Sequence, residues 1–206
     1  MNKKILHVLS RLEKQEKYQL KKGEQIPHSQ RIQTITPKIG RFYNIVLRAT
    51  KAKLVLEIGT SSGYSAIWFA EALQKNSKII TIENNPEKIQ IAKKNFEECG
   101  IADKIEIREG DALDVLAQIT REFKKTKLKF DFIFIDADKE RYVQYFDAVL
   151  PLLKVGGIIG ADNILYPKKF NGLIRKYLNH VRRNPKVISE TIPIDNGEEI
   201  TIKTKE

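Results

Sequence analysis

A chain of 206 residues with 41% hydrophobic and 31% charged residues can bury one substantial core and reads as a soluble globular single domain. No apolar run approaches the length of a membrane span, and the opening MNKKILHVLSRLEK carries an apolar patch too short for a secretory signal. A lone Cys99 allows no internal disulfide and agrees with a cytoplasmic location. Net charge is +11 and uneven: residues 1–53 hold 13 Lys/Arg against 3 Asp/Glu, whereas residues 54–206 hold 24 against 23. Such an N-terminal excess serves either as a solvated helical face or as a nucleic-acid footprint.

Residues 3–22 have helical periodicity, with Ile5, Val8, Leu9 and Leu12 on one face. Past Leu12 the pattern weakens, which predicts an exposed second half. GEQIPHSQRIQ reads as a loop. Thr36-Pro37 supplies an N-cap and a first-turn proline for a second helix with an apolar stripe of Ile39, Phe42, Val46 and Leu47. Residues 1–50 thus form a basic helical segment ahead of a core, 51–206, in which strands and helices alternate.

The first strand is expected at 53–57, followed by a turn at 59–63 and a helix to about Leu73. A second strand covers 78–83, and Asn85-Pro86 opens a helix stopped by Gly100. The third strand is 105–109, with a helix over 113–123 and an exposed basic loop, KKTKLK. Phe132 to Ile135 form a run suited to a strand buried on both faces, and a helix over 141–153 ends at Gly156-Gly157. Ile158 and Ile159 begin the fifth strand, and residues 168–183 form a basic helix. Strands at 187–194 and 198–203 flank Asn196-Gly197, a hairpin signal. The alternation predicts an α/β, Rossmann-like fold: a mostly parallel seven-stranded sheet with a C-terminal antiparallel hairpin and helices on both faces.

Glu57, Glu83, Asp111, Asp136 and Asp162 fall at or just past successive strand ends, every 25–28 residues. Right-handed crossovers gather parallel strand ends on one edge, where open α/β sheets bind ligands. Asp136 and Asp162-Asn163 end adjacent strands and so bring hard oxygen ligands together, which suggests a divalent cation site; each also suits a helix cap or a turn. The turn from Gly59 to Gly63 lacks the three-glycine dinucleotide spacing, because Ser61 occupies the middle position. Gly59 would let a ligand approach the backbone, and Ser65 with nearby amides could hold a carboxylate, although an ordinary βα turn needs the same residues. Glu83 suits ribose hydroxyls. His7, His28 and His180 lack metal-ligand spacing, and Trp68 and Phe69 lie inside a predicted helix, where core or interface packing is expected.

VLEIGTSSGYSAIWFA, TIENNPE, EGDALDVL, FDFIFIDADKERY and GGIIGADNILY resemble, in order, the motifs of the cation-dependent O-methyltransferases related to catechol and caffeoyl-CoA O-methyltransferases. The resemblance covers about residues 33–206, and DADK followed by ADN is its specific part. It implies a class I methyltransferase fold and S-adenosylmethionine as methyl donor. Glu57, Gly59, Thr60 and Ser65 would then bind the methionine end, with Asp138, beside Asp136, near the amino group. Glu83 would hold the ribose, Asp111-Ala112 would lie against the adenine, and Ile35 would offer a backbone contact. Asp136, Asp162 and Asn163 match the metal ligands, and Lys139 matches the catalytic lysine.

Two carboxylates and an amide oxygen suit Mg²⁺, with Mn²⁺ or Ca²⁺ as alternatives. Lys139, near such a cation, could accept the acceptor's proton. The resemblance implies an enzyme acting on a small catechol-like hydroxyl, and a homodimer. The same chemistry on a hydroxylated tRNA nucleoside stays open, favoured by the N-terminal charge, KKTKLK and the helix carrying Arg175, Lys176, Arg182 and Arg183. A non-catalytic adenosine- or RNA-binding module is the reading from another class, disfavoured by the joint presence of Asp136, Lys139, Asp162 and Asn163.

Overall fold

The computed structural model describes residues 2–22, 25–27 and 31–206; His28 and part of the expected loop before Ile32 lie outside them. The apolar runs become strands of one sheet: β1 (Leu54–Ile58), β2 (Lys78–Glu83), β3 (Ile105–Glu109), β4 (Phe130–Ile135), β5 (Leu153–Ala161), β6 (Val187–Ile192) and β7 (Glu198–Lys203). Their order is β3-β2-β1-β4-β5-β7-β6, with β1 to β5 mutually parallel and β7 antiparallel to both β5 and β6. Strand order reverses between β1 and β4, which opens a crevice outside their carboxyl ends.

Helices α1 (Lys3–Lys22), α2 (Pro37–Thr50), α3 (Tyr64–Ala72) and α4 (Pro86–Cys99) cover one face of the sheet, and α5 (Ala112–Thr126), α6 (Tyr142–Val149) and α7 (Asn171–Arg183) cover the other. The expected caps form: Thr36 accepts from Ile39 N, Asn85 accepts from Glu87 and Lys88 N, and Gly100 closes α4 in a left-handed conformation. Among the described residues no helix is long and apolar enough to cross a membrane.

The first core is built on aromatic rings. Tyr43 lies 4.9 Å from Phe134, and Phe69 lies 5.4 Å from Phe134, edge to face. Trp68 and Phe69 are buried here, as expected. Tyr43, rather than Phe42 or Val46, is the fully enclosed side chain at this part of α2, and its hydroxyl donates to the buried Glu198 carboxylate. Its ring rests on Gly160 of β5, where a Cβ would come within 2.7 Å of Tyr43 Cε1. Gly160→Ala is expected to destabilise the fold by about 1–3 kcal/mol, since the enclosed ring has nowhere to move. An unchanged urea midpoint would contradict that packing.

Four local expectations are corrected. The helix after β4 is α6 flanked by 3₁₀ turns at Lys139–Arg141 and Leu150–Leu152, and β5 already begins at Leu153. Pro151 breaks the helix, having no N–H and clashing with the preceding turn. Gly156-Gly157 instead lies within β5, where the pairing with β4 shifts register and Gly156 adopts φ 79°. Half of KKTKLK is the last turn of α5, closed by Lys127 at φ 57°. The hairpin joins Ile192 to Glu198 through five residues, 193–197, because Ile194 N turns back to Ile192 O and ends β6 early. Finally, the second half of α1 is only partly exposed: Glu13, Glu16 and Gln19, three residues apart, face inward.

Candidate functional site

Backbone hydrogen bonds bring the strand ends to one level: Gly59 N to Ile82 O (3.0 Å), Asp136 N to Ile58 O (3.0 Å) and Asp162 N to Ile135 O (3.1 Å). Above them opens a cavity of about 860 Å³. Ile35, Gly59, Thr60, Ser65, Glu83, Asp111, Ala112, Asp136, Asp138, Lys139, Asp162 and Asn163 all line it. Glu57 does not; it lies beneath the floor, fully buried.

One end is a turn built for close approach. Gly59 adopts φ 99°, and a Cβ there would strike the carbonyl oxygen of Asp136. Glu83 is locked by three amides: Asn84 N and Asn85 N reach Oε1 at 3.0 Å each, and Ser61 N reaches Oε2 at 2.8 Å. A carboxylate has about four acceptor positions, so capacity remains for a ligand hydroxyl. Ser65 gives its hydroxyl to Glu57 rather than to the cavity, and Thr81 donates to the other Glu57 oxygen at 2.6 Å.

Burial pushes Glu57 from its ordinary value of 4.5 up to about 8, against the downward pull of the Ser65 and Thr81 hydroxyls. Between those values the folded chain keeps a proton that the unfolded chain has released. Stability from this group therefore falls as pH rises from about 4.5 to about 8, and is flat above. Glu57→Gln should remove the titration and gain on the order of a few kcal/mol over wild type between acidic and alkaline pH. Parallel unfolding free energies of the two proteins across that range would contradict a protonated Glu57.

The other end gathers Asp136, Lys139, Asp162 and Asn163. Lys139, 8% exposed, places Nζ 3.1 Å from Asp136 Oδ1 and donates to Tyr142 Oη. Tyr142 Oη in turn sits 3.1 Å from Ile135 O and 3.2 Å from Asp162 O, which ties the lysine to both strand ends. Asn163 adopts φ 61°, a left-handed conformation that asparagine tolerates, and donates its N–H to Asp162 Oδ1 at 2.7 Å. Burial, then the nearby Asp136 charge, raises Asp162 to about 6.

Behind Asp162 stands Glu198, fully buried and raised well above the ordinary range, first by burial and then by Asp162. The sequence reading missed Glu198 and Tyr43. The signal available was the pair Glu198-Glu199 at the start of an alternating strand, one side chain to each face; Glu199 goes to the opposite face and receives Arg182.

The buried Asp162 carboxylate is repelled by the charge of the part-exposed Asp136, which is the electrostatic situation a dication relieves, and the donors are all hard oxygens. By the chemistry of their donor atoms, Asp136, Asp162 and the Asn163 amide are a set that could hold a Mg²⁺-like ion. Among the described residues no group of three or more His, Cys, Asp or Glu could hold a metal, and this mixed set brings two carboxylates and an amide. His7 approaches Glu98 at 3.9 Å and His180 bonds Asp147 at 2.7 Å, both away from the cavity.

The inward row on α1 frames the entrance. Glu13 accepts from Tyr64 Oη (2.8 Å), Glu16 accepts from Thr34 N (2.9 Å) and its hydroxyl (2.6 Å), and Gln19 accepts from Ile32 N (2.6 Å). The Glu16 and Gln19 bonds tie down Ile32 and Thr34, and residues 32–35 form a wall of the cavity.

A reversed-order parallel sheet with an antiparallel seventh strand, and a cavity across the switch point, is the architecture of class I methyltransferases. Solved structures agree: the O-methyltransferase from Bacillus cereus in complex with SAH superposes with a TM-score of 0.80 at 28% identity, over 96% of this chain and 91% of that one. TomG, the O-methyltransferase from Streptomyces achromogenes in complex with SAM, gives 0.81 at 25% identity, over 96% and 89%. The family model described as O-methyltransferase matches residues 10–198, and the chain belongs to that family. A catechol O-methyltransferase of Niastella koreensis is 41% identical over 132 residues, 64% of this chain and 58% of the relative. Caffeoyl-CoA O-methyltransferase 5 of Nicotiana tabacum is 39% identical over 163 residues, 75% and 66%. The chain thus spans about three fifths to two thirds of the length of these relatives.

Proposed function

We propose that this chain transfers the methyl group of S-adenosylmethionine to a hydroxyl of a small catechol-like acceptor, assisted by a divalent cation, Mg²⁺ first. The observation that carries the reading is one cavity holding both a glycine turn with a locked Glu83 and, across β1 and β4, the cluster of Asp136, Lys139, Asp162 and Asn163. The relatives' names, catechol and caffeoyl-CoA O-methyltransferase, support the acceptor class.

Asp136, Asp162 and Asn163 would hold the cation, which when bound acidifies a coordinated hydroxyl and fixes its oxygen. The turn at Gly59 and the Glu83 carboxylate would seat the donor in the cavity that Asp136 also lines. Lys139 Nζ, held by Asp136 and Tyr142, would first release its own proton to water and then, as a neutral amine, take the hydroxyl proton. The oxygen's electron pair then bonds the methyl carbon while the carbon–sulfur bond breaks toward sulfur, leaving the thioether S-adenosylhomocysteine. Much of the acceleration comes from alignment of oxygen, carbon and sulfur.

On this reading the chain is a single catalytic domain of a cytoplasmic homodimer; the buried, lone Cys99 and the exposed pair Ile188 and Ile202 on β6 and β7 support it. A second acceptor, a hydroxylated nucleoside of tRNA, is favoured by Arg31, Lys88 and Lys169 around the cavity. The test incubates the protein with labelled S-adenosylmethionine and Mg²⁺, offering a catechol and undermethylated tRNA separately. Catechol methylation lost with chelator supports the first reading. Transfer to tRNA alone, suppressed by moderate salt, selects the second. Transfer to neither refutes both.

A further inference from the structure

Asp111 and Arg141 come from opposite sides of the crevice. Asp111 follows β3, Arg141 follows β4, and in the sheet those strands are separated by β2 and β1. Their side chains nevertheless meet as a two-pronged pair: Arg141 Nη1 to Asp111 Oδ2 at 2.5 Å and Nη2 to Oδ1 at 2.9 Å. Both ends are anchored. Asp111 caps α5 by accepting Leu113 N at 3.0 Å. Arg141 is set by its own N–H on Asp138 O (3.0 Å), and its guanidinium lies 5.6 Å from the centre of the Tyr145 ring. All three side chains line the cavity.

A partly exposed ion pair contributes little to stability by itself, about 0–1 kcal/mol, so stability is a weak reason for this arrangement. Its effect on acceptor geometry is larger. Oδ1 already receives Leu113 N, Asp114 N (3.5 Å) and Arg141 Nη2, whereas Oδ2 receives only Arg141 Nη1. The fork therefore leaves the carboxylate with one free acceptor position, on Oδ2, in a fixed direction. The guanidinium also holds Asp111 down at about 2, so this acceptor stays ionised through any assay range.

We infer that Arg141 is a positioning residue that sets donor specificity: it aims Asp111 Oδ2 at the exocyclic amino group of the donor's purine. The inference rests on the donor reading above, and extends it to a residue outside the resemblance-derived set. A lone acceptor accommodates an amino group and repels the carbonyl oxygen of a deaminated purine. Without the fork, the carboxylate still caps α5 but its second oxygen can swing, and the distinction fades.

The test compares wild type, Arg141→Ala and Arg141→Lys by calorimetric binding of S-adenosylhomocysteine and of its deaminated, inosine analogue. Arg141→Ala should weaken S-adenosylhomocysteine about tenfold and bring the two ligands to within about threefold of each other, with kcat at saturating donor unchanged. Arg141→Lys, which keeps the charge but loses the fork, should restore less than half of the preference on a logarithmic scale. Thermal midpoints separate a lost helix cap from a lost contact, and Asp111→Asn, which keeps the cap, covers the case in which Arg141→Ala does not fold. A preference unchanged in Arg141→Ala, or a loss confined to kcat, overturns the inference while leaving the methyltransferase reading intact. Failure of the wild type to bind S-adenosylhomocysteine overturns both.

Discussion

Asp162→Ala should lose at least about 100-fold in methyl transfer while binding S-adenosylhomocysteine within about threefold of wild type. The side chain is 3% exposed, its backbone is bonded to Ile135 O at 3.1 Å, and Asn163 N fixes Oδ1 at 2.7 Å. It is thus held in one orientation before any ion arrives, and alanine removes one of only two carboxylates from the proposed set. The donor turn lies on β1 and β2, whereas Asp162 follows β5, with β4 between them. That separation is why binding and turnover should part company. Because alanine also deprives Glu198 of its neighbour, Asp162→Asn and an unfolding curve belong in the comparison. Full activity of Asp162→Ala, or of wild type in excess chelator, would remove the cation from the mechanism.

Lys139→Ala should lose about 10²–10⁴-fold, the usual span for a positioned proton acceptor, with the greatest loss at low pH. An acceptor hydroxyl ionises unaided as pH rises, so the variant's rate should climb toward that of wild type in alkaline solution. Lys139→Arg should not rescue, since a guanidinium does not give up its proton to become a base. The residue is buried between Asp136 and Tyr142, so neither replacement is expected to disturb the donor turn. Rate profiles of wild type and Lys139→Ala running parallel across pH would exclude the proton-transfer role.

Local chemistry made most of the fold legible. Asn85-Pro86 and Gly100 bracket α4 as read, and four of the five strand-end acids, Glu83, Asp111, Asp136 and Asp162, do line one cavity. Glu57 does not, because it precedes the last residue of β1 and turns into the sheet's interior, where two hydroxyls receive it. The polar row Glu13, Glu16 and Gln19 was read as solvated since its partners are backbone amides of irregular chain and a distant tyrosine. Periodicity carries no trace of such bonds. Arg141 and Asp111, 30 residues apart and past the ends of non-adjacent strands, meet only through the tertiary fold. The helix before β5 ends ahead of the glycine pair because Pro151, whose missing N–H acts first along the chain, breaks it.

The most direct test is an equilibrium titration of the S-adenosylhomocysteine-loaded protein with Mn²⁺, followed by electron paramagnetic resonance of the free ion. One Mn²⁺ per chain is expected, displaced by Mg²⁺ and lost when Asp136 and Asp162 are both replaced by asparagine. A protein that takes up no Mn²⁺, or keeps its affinity after both replacements, contradicts a cation held between the ends of β4 and β5.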